Sequence, residues 1–146
     1  MRRGGRLFIL SGPSGSGKTT LYKKLLRRKA LRQRLIKAIS YTTRPRRSNE
    51  KAGRDYLFIS KKEFLNKKRR GEILESQNVF GFMYGTPKNR LQALLKSGRD
   101  VLLCVDVKGE KAIKRFYPDA ISIFILPPSL QTLNQRLKGR STEGRQ

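Results

Sequence analysis

The chain has 146 residues, enough for one domain with a real core. It carries 35 Lys and Arg against 10 Asp and Glu, a formal charge of +25, with no histidine and one cysteine, Cys104. That composition excludes an internal disulfide framework, a Cys/His transition-metal centre and a His-activated Ser or Cys nucleophile. No apolar run is long enough to span a bilayer. Met1-Arg-Arg-Gly-Gly5 leads straight into the first apolar segment, so the expectation is no signal peptide and a reducing, cytoplasmic setting without membrane contact.

Taken in chain order, Arg6–Ser11 reads as a buried strand and Thr20–Leu35 as a helix with Leu21, Leu25, Leu26 and Leu35 on one side. Between them stands Gly12-Pro-Ser-Gly-Ser-Gly-Lys-Thr19, the phosphate-loop pattern G-x-x-x-x-G-K-[ST] in the strand-loop-helix context that such a loop requires. Its glycines free backbone N–H groups to wrap a polyphosphate, and the helix N-terminus adds partial positive charge. Lys18 can reach the terminal phosphates, and the Thr19 hydroxyl can ligate Mg²⁺.

Leu35–Tyr41 reads as a short strand or its approach, 42–54 as a polar loop, Tyr56–Ile59 as a strand, and Lys61–Arg70 as a helix with Phe64 and Leu65 inward. Glu72–Phe80 reads as extended. Thr86-Pro87 predicts a helix start, with Thr86 as cap, and that helix ends at Gly98. Asp100–Asp106 and Ala120–Leu126 are expected as buried strands, Gly109–Phe116 as a helix, and Ser129 as the cap of a last helix to about Lys138; Gly139–Gln146 is expected to be unsupported. This alternation predicts an α/β fold with a mostly parallel sheet.

A switch GTPase would need Asp-x-x-Gly and Asn-Lys-x-Asp. Asp106-Val-Lys-Gly109 fits the first, but Asn66-Lys-Lys-Arg69 ends in the wrong charge for the second. A small-molecule kinase needs a second anionic pocket. Ser40-Tyr-Thr-Thr-Arg-Pro-Arg-Arg47 has the chemistry for it: Arg44 and Arg47 can fork onto a phosphate, and Tyr56 and Tyr84 can donate hydroxyls to it. Glu75, in Ile73-Leu-Glu-Ser76, can accept from the N1–H and N2–H₂ edge of guanine, whereas adenine would leave it unpaired. Each of these residues alone has a plain structural alternative: tyrosines pack, threonines cap or line a strand edge, and arginines abound here. The basic clusters at Lys23–Lys37 and Lys61–Arg70 have little aromatic interleaving. They read as a solvated basic face, with a nucleic-acid surface as the other use of the charge.

The chain resembles the guanylate kinase family through Gly12–Thr19, Ser40–Arg44, Arg47, Glu50, Gly53-Arg-Asp-Tyr56, Glu75, Val79–Thr86, Asp106-Val-Lys-Gly109, Ile123–Ser129 and Arg136-Leu-Lys-Gly-Arg140, in the family's order. The resemblance implies a three-layer αβα phosphate-loop NTPase fold with a parallel core sheet and a small mixed α/β GMP-binding insertion. The core would comprise 1–39 and 88–130, the insertion 40–87, and the start of a lid 131–146. It implies transfer of the γ-phosphoryl of ATP to GMP or dGMP, with Mg²⁺. Gly12, Pro13, Ser14, Gly15, Ser16, Gly17, Lys18, Thr19 and Thr20 would hold the ATP phosphates, with Thr19 on the metal. Ser40, Glu75, Thr86 and Asp106 would contact guanine. Arg44, Arg47, Tyr56 and Tyr84 would clamp the GMP phosphate, and Lys18, Arg44 and Arg140, the first lid arginine, would serve the transfer.

Two features depart from the family pattern. Cys104-Val-Asp106 stands where the family has Asp-x-Asp, and a thiol is a poor partner for a hard cation. The family continues beyond Arg140 through the rest of the lid, a strand, an adenine-contacting segment and a helix. The expectation is a piece of a longer protein or a shortened one with turnover in question. The rival readings are a nucleotide-binding or interaction module without turnover, and a basic RNA-binding protein.

Overall fold

The computed structural model describes residues 3–143, with side chains through residue 139. The elements are β1 (Leu7–Ser11), α1 (Lys18–Arg27), α2 (Lys29–Arg32), β2 (Leu35–Lys37), β3 (Tyr41–Thr42), β4 (Leu57–Phe58), α3 (Lys61–Arg69), β5 (Ile73–Val79), β6 (Phe82–Pro87), α4 (Lys88–Lys96), β7 (Asp100–Cys104), α5 (Val107–Phe116), β8 (Ile121–Phe124) and α6 (Leu130–Glu143).

The core sheet runs β2-β7-β1-β8, and every ladder in it is parallel. Strand side chains alternate between faces, which sorts the apolar residues into two layers. Leu7, Ile9, Val101 and Leu103 pack with Leu91 of α4 and Ile113 of α5. Leu10 and Leu102 face the opposite way, onto Tyr22 of α1. Helices therefore cover both faces, giving the three-layer α/β architecture of phosphate-loop NTPases.

A second, mixed sheet runs β4-β3-β6-β5, with β3 and β4 parallel and the other pairs antiparallel. Phe64 of α3 is fully buried against it. Gly85 permits that approach: a Cβ there would sit 2.9 Å from Phe64 Cζ and 2.7 Å from Ile73 Cγ2. A two-residue turn at Phe80-Gly81, with φ of 51° and 83°, joins β5 to β6. Positive φ at both positions matches the twist of the hairpin.

Several expectations are corrected. The first helix does not run to Leu35. It breaks at Arg28, whose extended ψ of 119° turns the chain back so that Leu35 can enter the sheet beside β7. Arg and Lys are good helix formers, so nothing local marks that break. Thr86 does not cap α4. It is the fifth residue of β6, Pro87 takes the cap position, and the Thr86 hydroxyl is directed to Glu75. Leu65 is exposed while Phe64 faces in. β8 is not a buried strand: Ile121, Ile123 and Phe124 are exposed, because among the described residues it has a ladder on one side only. Residues 139–143 continue α6 rather than trailing away from it.

Phe64→Ala is expected to lower stability by about 3–5 kcal/mol, the usual range for emptying a full aromatic site, read as a fall in the urea midpoint.

Candidate active site

The phosphate loop spans the gap between Ser11 and Lys18. Gly12, Gly15 and Gly17 have φ of 149°, 82° and 102°, which L side chains rarely adopt. A Cβ on Gly12 would lie 2.5 Å from the Ile125 carbonyl oxygen, so the loop presses on the chain leaving β8. Lys18 Nζ donates to the carbonyls of Gly12 (2.5 Å) and Pro13 (3.2 Å), which holds its ammonium against the loop. Ser16 Oγ is buried without a hydrogen-bond partner among the described residues. Thr19 and Thr20 are exposed on the first turn of α1.

Residues of α6 back this loop. Arg136 Nη1 donates to the Gly15 carbonyl at 3.0 Å. Gly15, Ser16, Thr20, Lys24 and Arg136 line part of a cleft of about 670 Å³. Sequence reasoning assigned Arg136 no role, although it opens the Arg136–Arg140 string. The Arg140 side chain lies outside the described residues.

The second sheet assembles the other candidates through its register. Thr42 pairs with Tyr84, which places Arg44 just beyond β3 beside β6. Arg44 Nε donates to the Tyr84 hydroxyl (3.1 Å), and its Nη1 and Nη2 fork onto Glu50 at 3.1 and 2.7 Å. The Tyr56 ring stands edge-on to Tyr84, centroids 5.8 Å apart, and 5.5 Å from the Arg44 guanidinium carbon. Burial works against the Arg44 charge, but the bonds to Glu50 and Tyr84 outweigh it and hold the guanidinium firmly protonated. Burial likewise opposes ionisation of Glu50, yet Arg44 and the Arg47 N–H hold its carboxyl below the usual range. Burial, reinforced by Tyr84, pushes the Tyr56 phenol to about 12, so it remains a hydrogen-bond donor. Glu50 is the positioning residue that the sequence reading left without a role. The Arg47 side chain is exposed, with its charge in electrostatic reach of Glu50.

A few residues along the hairpin, Thr86 Oγ1 donates to Glu75 Oε1 at 2.7 Å. Among the described residues no hydrogen-bond partner reaches the buried Glu75 Oε2. Asp106 caps α5 by accepting from the Gly109 N–H at 2.7 Å. A Cβ on Gly109 would lie 3.2 Å from Asp106 Oδ1 and 3.4 Å from Glu75 Oε2, so that glycine lets the two carboxylates approach from different elements. Burial raises the Glu75 carboxyl, Thr86 resists the shift, and Asp106 adds to it. Ser40 is buried at the entry to β3. Cys104 ends β7 with burial pushing its thiol up to about 11, so it is neutral.

A raised carboxyl means that the folded state holds its proton more tightly than the unfolded chain. Stability then falls as pH rises from the ordinary value of 4.5 through the folded value. Glu75→Gln should therefore gain stability relative to the parent between pH 5 and pH 8, measured by urea denaturation at both. An unchanging gap would contradict the burial argument.

The chain resembles known proteins over nearly its whole length. The family model for guanylate kinase matches residues 4–146. A guanylate kinase of Thermotoga maritima is 40% identical over 139 residues, covering 95% of this chain and 66% of its own. That of Hahella chejuensis is 45% identical, covering 95% and 65%, and that of Rubrobacter xylanophilus is 45% identical, covering 98% and 73%. The crystal structure of guanylate kinase from Anaplasma phagocytophilum superposes with a TM-score of 0.79 at 37% identity, covering 97% of this chain and 71% of that one. The chain thus spans about two thirds of the length of the relatives it matches. No helix among the described residues is long and apolar enough to cross a membrane. Nearly the whole of these 146 residues aligns with relatives sharing one name, and on that ground the chain belongs to the guanylate kinase family.

Proposed function

We propose that this chain binds ATP and GMP and transfers the γ-phosphoryl of ATP to the GMP phosphate, giving ADP and GDP; dGMP would be accepted as well. The observation that carries the reading is the pairing, on one small sheet, of an arginine-tyrosine cluster with a buried carboxylate oxygen that lacks a hydrogen-bond partner among the described residues. The first suits a phosphate. The second suits a ligand edge presenting two donors, as guanine does and adenine does not. Residues 40–87 would form the GMP-binding insertion, 1–39 and 88–130 the core, and 131–146 the start of the lid.

In this reading Glu75, with Thr86, Asp106 and Ser40, selects the base. Arg44, Arg47, Tyr56 and Tyr84 hold the acceptor phosphate, whose oxygens are already ionised at neutral pH, so no general base is needed. The loop amides of 12–20 and Lys18 hold the donor phosphates, Lys18 exchanging the loop carbonyls for phosphate oxygens. Arg140 would join from the lid. Catalysis is alignment plus neutralisation of charge. Bound Mg²⁺ would supply further neutralisation of the phosphates. Thr19, exposed on the first turn of α1 at the end of the loop, would be its protein ligand. A cytoplasmic site of action accords with soluble nucleotide substrates and a lone free cysteine.

The test is a coupled assay of ADP formation with GMP, dGMP, AMP and UMP, alongside calorimetric titration of GMP. GMP and dGMP should be turned over in preference to AMP and UMP. Lys18→Ala should lower turnover by about 10²-fold or more. Arg44→Ala should weaken GMP binding by about 10-fold or more. Absence of both GMP-dependent ADP formation and GMP binding, together with salt-sensitive RNA binding, would overturn the reading in favour of a nucleic-acid role.

A further inference from the structure

Lys37 is the last residue of β2, at the same edge of the core sheet as the phosphate loop. Lys37 is half-buried, with its ammonium set among aromatic rings. Nζ lies 4.4 Å from the centroid of the Tyr22 ring on α1 and 5.5 Å from that of Tyr56. It donates to the Asp55 carbonyl at 3.0 Å.

The nearby Asp55 carboxylate is otherwise engaged. It accepts from the Lys51 N–H (2.7 Å), from Arg54 Nε and Nη2 (3.1 and 2.8 Å) and from the Tyr22 hydroxyl (3.3 Å), and it sits 3.9 Å from Lys23 Nζ. Among the described residues no carboxylate lies within ion-pair distance of Lys37. Burial lowers the Lys37 pKa and Lys23 adds to that, while Cys104, Asp55 and Glu50 resist it. The Cys104 thiol lies within electrostatic reach of both Lys37 and Lys18.

A half-buried cation without a counter-ion is costly unless an anion completes it. Of the groups around it, Tyr56 belongs to the acceptor cluster, and Cys104 is within electrostatic reach of Lys18 of the donor loop. We propose that Lys37 is a further substrate-binding residue, contacting the GMP phosphate on the side that faces the donor loop. This rests on the guanylate kinase reading above and adds to it a cation that neither the loop motif nor the arginine cluster includes. Lys37 would then neutralise the acceptor phosphate where the incoming phosphoryl approaches, the place where repulsion between the two nucleotides is greatest.

The alternative is bracing: Lys37 could merely tie the Asp55 turn to α1. Binding measurements separate the two, because guanosine presents the same base without the phosphate. GMP and guanosine are titrated calorimetrically into the parent chain, Lys37→Met and Lys37→Arg, with thermal melts of each. The expected result is GMP affinity reduced about tenfold or more in Lys37→Met, guanosine affinity unchanged, and most of the loss restored in Lys37→Arg. GMP affinity within twofold of the parent in a folded Lys37→Met overturns the proposal, as does an equal weakening of GMP and guanosine. If Lys37→Met does not fold, the GMP-to-guanosine ratio of Lys37→Arg against Lys37→Gln decides in the same way. A parent that binds guanosine but gains nothing from the phosphate overturns the proposal and leaves base recognition standing. A parent that binds neither overturns the kinase reading and the Lys37 role with it.

Discussion

The parallel ladder β7-β1-β8 brings Cys104, Ser11 and Phe124 to nearly the same level, so the segments that follow them leave the sheet at one edge. The phosphate loop follows Ser11, the Asp106 cap follows Cys104, and the 125–129 segment follows Phe124. Their mutual distances are set by backbone hydrogen bonds of fixed geometry rather than by the loops themselves. Gly12 shows how tight the arrangement is, since its position sits directly against the Ile125 carbonyl. Ser11 is tied in the same layer, its hydroxyl donating to Glu110 of α5. Shifting β1 by one residue would exchange the two core faces and move the loop off this edge.

Charge imposes the second constraint. With 10 carboxylates for 35 basic side chains, several of the acids hold positions of consequence. Asp100 binds Arg6 at the start of the ladder, Glu50 holds Arg44, Asp55 gathers its turn onto Tyr22, and Asp106 caps α5. Among the described residues Glu75 keeps a buried oxygen without a hydrogen-bond partner, and Lys37 is half-buried beside aromatic rings with no carboxylate at ion-pair distance. Both are sites where the fold leaves a polar requirement unmet, and a ligand meeting it would gain more than at a satisfied surface.

The basic excess elsewhere has a plainer reading. The lysines and arginines of α1 to α3 are mostly exposed, with few aromatic neighbours, and form a solvated face. Such a field still raises the local concentration of phosphorylated ligands near the loop.

The amino-acid sequence by itself determined the loop, the alternation of strands and helices, and the identity of the candidate contacts. These depend on local chemistry: glycines for positive φ, apolar runs for buried strands, and fixed spacings between charged and aromatic residues. It also carried the resemblance to the family, since the matching segments keep their order. Only the tertiary structure decided what depends on partners distant in the chain. Arg28 ends a helix because β2 must reach β7, although its own propensity favours continuing. Thr86 becomes a partner of Glu75 instead of a helix cap because β6 pairs with β5, a pairing that no local signal announced. β8 is exposed despite its apolar run, since burial depends on what covers a strand and not on its composition. Glu50 and Lys37 became visible only when the sheets set one against Arg44 and the other beside Tyr22 and Tyr56. A side chain's charge is written in the sequence, but whether that charge is satisfied is decided by the fold.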